Sequence, residues 1–516
     1  MIILAFFNLL QKHLLLIIPV GNQERLVIQA GQSLKNLLEK SSPTFIKFGQ
    51  LLSHRPDILP KLYTEQLLPL TDNTQALTLE TIKIKIDNAL CGQNLDFEII
   101  EIFQKPLGSA SIAQVHKVLI QFKDGTQRLE AWKIQKGEIK KVFERDLWWL
   151  RLITKTLDLT KLLPPIDNLA QEYQVWLKEE TDFRNEANNI KIASTKNNFK
   201  PLIPTKIPLI INSPQLFGVH ISTDGSDQII RMELIEGSTL NQLRLDDSFN
   251  MEDRRDIVNQ ALRGFFSQFL IYGFVHTDPH ISNIIWNNTS KKLYFVDFGL
   301  VRQFSSINGL HLLRMFRGFL TGNRNLCYDG LFGLMKIGVV AQQLIIPDLD
   351  RMFQQINQNH INNPALVYRE TGSLFLTSLI GIIQRHKIKI STDSSAIFKA
   401  MATTDAVYTT VCPEYNIQDM LAVVIDISQL FLQKIILQDS KLVAYSLNCV
   451  DKQFKVRGSI LTGIETPLGK DILSFVTQSF VIDPTIILSD TTKINEAFGA
   501  IEQLENLFIA SQTKEY

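Results

Sequence analysis

Two runs in the second half of the chain hold most of its chemistry-bearing residues. In GFVHTDPHISNIIW (Gly273–Trp286), His276, Asp278 and Asn283 stand at the spacing H-x-D-x-x-x-x-N. In YFVDFG (Tyr294–Gly299), Asp297 is followed by Phe298 and Gly299. A carboxylate two residues past a histidine can accept or orient the proton of an attacking hydroxyl. An asparagine and a second aspartate one hairpin later offer oxygen ligands to a divalent cation. Phosphoryl transfer from ATP asks for little more, because the protein's share of that reaction is positioning and electrostatic stabilisation. Asp278 is therefore the candidate catalytic carboxylate, with Asn283 and Asp297 the candidate ligands of Mg2+. Either motif alone is a common accident of loop and strand-end sequence. Both together, in this order, are not.

Such a site also needs a cation on the α- and β-phosphates and an anion to hold that cation. Lys133 in the strand-like AWKIQ (Ala131–Gln135) is the candidate, although a lone strand lysine is ordinarily just solvated. Ahead of it, PLGSASIAQVHKV (Pro106–Val118) occupies the place of a phosphate-covering hairpin. It carries one glycine, Gly108, and then Ser109, Ala110 and Ser111. Small side chains let backbone N–H groups approach phosphate, with less freedom than glycine gives.

After Lys133 comes EETDFRNEANN (Glu179–Asn189), in which Glu186 is the candidate ion-pair partner and a catalytic-set member. Asp182 and Glu186 share a helix face by four-residue spacing, and Glu180 is turned away from it. Taken alone, the run also reads as a solvated acidic face. RMELIEG (Arg231–Gly237) reads as a strand entering a hinge, with backbone groups of Glu233 and Ile235 on the adenine edge and Met232 behind it. An ordinary amphipathic strand is the plainer alternative.

The elements that must position these residues follow from periodicity. Residues 21–100 show helical spacing, as in RLVIQAGQSLKNLLEK, and Ser41-Ser42-Pro43 starts a new helix because proline is tolerated in a first turn. From about Phe97 the runs FEIIEIF, SIAQVHKVLIQF and RLEAWKIQ are strand-like and separated by turns such as KDGT. Residues 138–200 return to helical spacing before the strand IIRMELIEG. The remainder reads as helical apart from one hairpin, IIWNN, a turn at Asn288–Ser290, and KKLYF. The fold class is α+β, with a small sheet-bearing unit before a larger helical one. That is the order of a bilobal protein kinase.

Composition narrows the partners. Apolar residues make up 45%, charged residues 20%, and the net charge is +1. That balance excludes a broad attraction to nucleic acid or to an anionic membrane, and leaves room for a local basic patch. The four cysteines are far apart, without a CxxC pair, which suits thiols in a reducing compartment. The first twenty residues are very apolar but interrupted by Asn8, Gln11, Lys12 and His13. They meet the requirements of neither a spanning helix nor a signal peptide. A buried helix and an interfacial helix both remain open for them. Leu421–Leu437, interrupted by Asp426, Gln429, Gln433 and Lys434, reads as a core-facing helix.

PTFIKFGQLLSHRPDILP (Pro43–Pro60) resembles the K-x-G-Q segment of the UbiB family of atypical kinases, with Lys47, Phe48, Gly49 and Gln50 matching. Ser109–Val115 resembles that family's alanine-rich loop, Glu180-Thr181-Asp182 its E-x-D, and the catalytic loop its H-A-D-P-H-P-G-N. The likeness covers roughly residues 25–305. Two departures stand in the loop: Ile281 and Ser282 replace Pro-Gly, and Thr277 replaces a small apolar residue. The resemblance implies a kinase-like fold with an N-terminal helical extension packed over the cleft and a mostly helical C-terminal lobe. It divides the chain into an apolar or amphipathic segment 1–40, the K-x-G-Q extension 41–96, an N-lobe 97–236 and a C-lobe 237–516.

The same resemblance implies an Mg-ATP-dependent ATPase supporting ubiquinone biosynthesis, by helping to extract or present membrane lipid intermediates alongside other proteins of that pathway. Lys47 and Gln50 are then expected to point at the nucleotide phosphates or at Asp278. The expected location is cytoplasmic and peripheral at the inner membrane, with no nucleic-acid partner. A genuine protein or small-molecule kinase is one alternative, and a nucleotide-binding scaffold without turnover is another.

Overall fold

A computed structural model of the chain describes residues 23–431 except 40, 54–60, 68, 69, 71–75, 111, 138–142, 144, 152–166, 196–211, 245, 247, 248, 278, 322, 363–374 and scattered positions between 376 and 429. Three helices come first: α1 (Gln23–Glu39), α2 (Pro43–Ser53) and α3 (Lys61–Leu67). The break before α2 falls at the expected Ser-Ser-Pro, where the Ser42 carbonyl accepts the N–H groups of Phe45 and Ile46. Phe45, Phe48 and Leu52 of α2 pack with Ala30, Leu38, Leu67 and Leu70. Gly49 is the point of closest approach, since a Cβ there would overlap Leu70 Cδ1 and Leu38 Cδ1. The glycine serves helix packing.

Next, α4 (Leu79–Leu90) starts at Thr78, whose hydroxyl accepts the Thr81 N–H. Its buried side, Ile82, Ile86, Ala89 and Leu90, lies on one face of an antiparallel sheet. The strands are β1 (Phe97–Ile102), β2 (Gly108–Ser109), β3 (Ala113–Phe122), β4 (Gln127–Gln135), β5 (Leu216–Ile221) and β6 (Gln228–Glu233). In space they run β1-β3-β4-β6-β5, with β2 folded back on β3.

Alternation along β4 sets the site. Trp132 and Ile134 join the core under α4, so Ala131 and Lys133 must face the other way. On that side stand α5 (Asp167–Thr181) and α6 (Phe183–Thr195), the latter packing Phe183 and Ile190 beside Ala131 and Ile230.

The second part is largely helical, as expected. It runs from β7 (Ser238–Thr239) through α7 (Leu240–Leu243) and α8 (Met251–Phe266) into a π-helical turn at Ser267–Tyr272. Gly273, at φ +66°, ends that turn in the left-handed region that glycine adopts without cost. The expected hairpin forms as β9 (Ile284–Asn287) and β10 (Lys292–Phe295), in register from Ile284↔Phe295 to Asn287↔Lys292. Among the pairings not expected is β8 (Phe274–His276) with β11 (Val301–Gln303), three residues each and too short to show alternation. Helices α9 (Ser306–Thr321), α10 (Arg324–Met335), α11 (Val339–Asn362) and α12 (Thr392–Val411) complete the main core.

Met420, Val423, Val424, Ile427, Leu430 and Phe431 are all buried, in keeping with a core-facing helix there. Among the described residues no helix is long and apolar enough to cross a membrane. Residues 1–20 lie outside the described residues.

Candidate functional site

The β8–β11 pair brings the two chemical motifs to one end. His276 pairs with Val301, and Thr277 N–H and Oγ1 both donate to the Leu300 carbonyl at 3.0 and 3.2 Å. The loop leaving β8 and the Asp297-Phe298-Gly299 turn entering β11 therefore start side by side. His276 is buried, and its Nε2 lies 3.1 Å from the Val296 carbonyl. Its N–H is held by Gln268 Oε1 at 2.8 Å, from the π-helical turn.

Val296 N–H donates to the Asn283 carbonyl at 2.9 Å, which fixes Asn283 next to Asp297. The substitutions Ile281 and Ser282 are absorbed by a turn in which Asn283 N–H donates to the His280 carbonyl at 2.7 Å. Neither residue takes a positive φ, so this turn does not demand a glycine.

Lys133 occupies the centre. Its Nζ lies 2.8 Å from both carboxylate oxygens of Glu186 and 2.8 Å from Asp297 Oδ1. Three residues from three distant stretches thus meet at one ammonium. Burial works against the Lys133 charge, but the carboxylates of Asp297 and Glu186 outweigh it and hold the group above the usual lysine range. Although the Asp297 side chain keeps one side open to solvent, the groups packed around it oppose its charge; Lys133, with His276 and Lys47, overcomes this and holds that carboxyl well below the usual range. Glu186 comes out the other way. Burial, together with the charges of Asp297 and Glu180, pushes its carboxyl up to about 7 against the pull of Lys133.

Asp297 sits at φ +63°, a left-handed conformation that costs a non-glycine residue energy and collects at functional sites. Its side chain is 43% exposed, against 3% for Glu186. An ionised carboxylate facing solvent is a hard-oxygen donor of the kind Mg2+ takes together with phosphate oxygens. Among the described residues no group of three or more His, Cys, Asp or Glu side chains gathers to offer a metal site from protein alone.

The acidic run behaves differently from its expected reading. The helix breaks at Asp182, which caps α6: its Oδ1 accepts the Arg184 N–H at 3.1 Å and its carbonyl the Asn185 N–H at 2.9 Å. Four-residue spacing does not survive a break, so Glu180 is not turned away. It lies near enough to Glu186 to raise that group's pKa. Glu180 Oε1 also receives Lys47 Nζ at 2.6 Å, while Lys47 sits 5.7 Å from the Trp176 ring centroid. Lys47 is buried and faces this acidic cluster, close enough to bias Asp297.

Gly108 and Ser109 pair with Val115 and Gln114, and Ala110 N–H donates to the Ala113 carbonyl at 2.8 Å, closing a small hairpin. Glu233 ends β6, and Ile235 follows outside the ladder. Asp278, Ser111 and the Gln50 side chain lie outside the described residues.

Besides Lys47 with Glu180, sequence reasoning missed two further contacts at the site. Asn189 Nδ2 donates to the Phe298 carbonyl at 2.9 Å, and Arg302 Nη1 donates to Glu179 at 2.6 Å. The first was readable as a residue three past Glu186 on the same helix; the second joins sequence-remote elements and had no local signal.

A family profile described as the ABC1 atypical kinase-like domain matches residues 69–330, a little over half of the chain. The chain belongs to the ABC1 atypical kinase-like family. Relatives include a Clostridium pasteurianum protein named for its place in the hydrogenase 1 5′ region, 27% identical across 76% of this chain and 69% of its own length. An Arabidopsis thaliana protein, ACTIVITY OF BC1 COMPLEX KINASE 8, chloroplastic, is 30% identical across 55% of this chain, which spans only 36% of that relative. Among solved structures, a Mycobacterium tuberculosis protein in complex with erythromycin aligns with TM-score 0.43 and 16% identity, over 72% of this chain and 88% of its own.

Proposed function

We propose that this ABC1 family member binds Mg-ATP between a sheet-bearing lobe, residues 97–236, and a helical lobe, residues 237–516, and hydrolyses it. The observation that carries the reading is the single ammonium of Lys133 bonded at 2.8 Å to both Glu186 and Asp297. In this arrangement Lys133 reaches the α- and β-phosphates and Glu186 keeps it there. Asn283 and Asp297 hold Mg2+, which when bound neutralises charge on the phosphate oxygens. Asp278 orients the attacking water. Gly108, Ser109, Ala110 and Ser111 cover the phosphates, and backbone groups of Glu233 and Ile235 take the adenine edge.

Helices α1–α3 form an extension over the cleft, where Lys47 is engaged by Glu180. That engagement supports ATP hydrolysis over phosphorylation of a protein, because α2 takes up space at the cleft that a protein substrate needs. The similarity of the K-x-G-Q and SASIAQVH segments supports a role in ubiquinone biosynthesis, acting on membrane lipid intermediates from a peripheral position.

The test is phosphate release from ATP by the purified chain with Mg2+, against Lys133→Met and Asp278→Asn. Release by wild type and its loss in both variants is expected. Equal release by all three overturns the assignment, and label appearing on added protein in place of free phosphate favours the kinase reading.

A further inference from the structure

The overall charge of +1 hides a local asymmetry in the layer that holds α2. The helical stretch 145–151 buries Leu147 and Leu150, with Phe143 just before them, against α5 and the α1–α3 helices. Asp146 faces inward too, accepting the Ser42 hydroxyl and pairing with Arg145, whose Nε lies 3.2 Å from its Oδ1. What this leaves outside is unusual. Trp148 is 60% exposed, its ring edge-on to Trp149 at 4.9 Å. Arg145 and Arg151, three residues to either side of Trp148, are exposed as well, and three-residue spacing puts them on its side of the helix.

The neighbouring helix extends the same surface. Arg151 bonds Gln174 of α5; beside Gln174 stands Val175, 56% exposed, and Lys178 follows one turn on. The sequence 140–155 carries five Lys and Arg against two acids, and one of those acids is the buried Asp146. A tryptophan set between arginines, on a helix whose opposite side is core, has the chemistry of a bilayer interface: the indole suits the headgroup boundary and the cations suit anionic lipid.

We propose that the face formed by Arg145, Trp148, Arg151, Val175 and Lys178 docks on an anionic lipid bilayer. It rests on the peripheral-membrane part of the reading above and is independent of ATP turnover. The surface also orients the molecule. Ser42 of α2 and Trp176, over which Lys47 sits, belong to the same layer, so the bilayer lies on the outer side of the helices that hold Lys47.

The experiment is co-sedimentation of the full chain with phosphatidylcholine vesicles, with and without phosphatidylserine, alongside phosphate release. Wild type is expected to bind the phosphatidylserine vesicles and not the neutral ones. Trp148→Gln should lower that binding severalfold. Arg151→Gln with Lys178→Gln should weaken it by about fivefold per charge and reduce its salt dependence. Both variants should keep wild-type unfolding temperature and ATP turnover, since none of these residues lines the nucleotide site. Three results overturn the proposal: Trp148→Gln bound as tightly as wild type, equal binding to neutral vesicles, or self-association that Trp148→Gln abolishes while vesicle binding is absent. Vesicle binding without phosphate release would keep this surface and remove the ATPase reading instead.

Discussion

Lys47 Nζ lies 2.6 Å from Glu180 Oε1, joining α2 to the last turn of α5 across 133 residues of sequence. Both side chains are nearly buried, at 11% and 15% exposure, so solvent screens the pair only partly. Glu180 in turn bears on Glu186, and Lys47 on Asp297. The N-terminal helices are therefore electrically part of the site.

Breaking that link should change what the site does. Lys47→Ala is expected to alter nucleotide preference or to release self-phosphorylation, read by label transfer from radiolabelled ATP to the chain. If neither changes, Lys47 is only a structural tether.

Asp297→Asn should lower ATP turnover on the order of a hundredfold or more, as loss of one electrostatic stabiliser does. The fold should survive, because the side chain is partly exposed and Lys133 keeps Glu186. Turnover at the wild-type rate would discard the metal assignment.

Glu186 makes a pH prediction with two signs. Burial pushes its carboxyl up to about 7 in the folded chain, against 4.5 ordinarily. Between those values the folded state holds the proton more tightly, so through this group stability falls as pH rises. Turnover should do the reverse. Below pH 7 a neutral Glu186 loosens its hold on Lys133, giving an acid limb near 7. Glu186→Gln should be slow at every pH and lack that limb; an unchanged limb assigns it to another group.

Gly49→Ala tests the packing of α2. A methyl group there meets Leu38 and Leu70, and overpacking of this kind costs about 1–3 kcal/mol. Thermal unfolding and proteolysis should show the N-terminal helices loosened first. A variant as protease-resistant as wild type would mean that α1 and α3 can shift to accommodate it.

Strands β1, β3, β4 and β6, the β9–β10 hairpin and the trio Lys133, Glu186 and Asp297 were legible in the linear order of residues. Each rests on a short-range signal: alternation along β4, turn residues at Asn288–Ser290, fixed spacing from His276 to Asn283. Local rules act over a few residues, and these features are a few residues long. The K-x-G-Q segment was visible as a motif, but the role of its glycine was not. It proved to be a contact between helices, which depends on where Leu38 and Leu70 come to lie.

Glu180 was misjudged for a related reason. Its direction follows from a helix break at Asp182, and whether an aspartate caps a helix or rides within one depends on the core around it. The sequence by itself determined which groups could do chemistry and, within an unbroken strand such as β4, on which face they stand, because those follow from residue type and backbone period. Tertiary structure alone decided the pairings and the charges. Lys47 with Glu180, Arg302 with Glu179 and the raised carboxyl of Glu186 all depend on distances between remote segments and on burial, and neither is encoded in any local window.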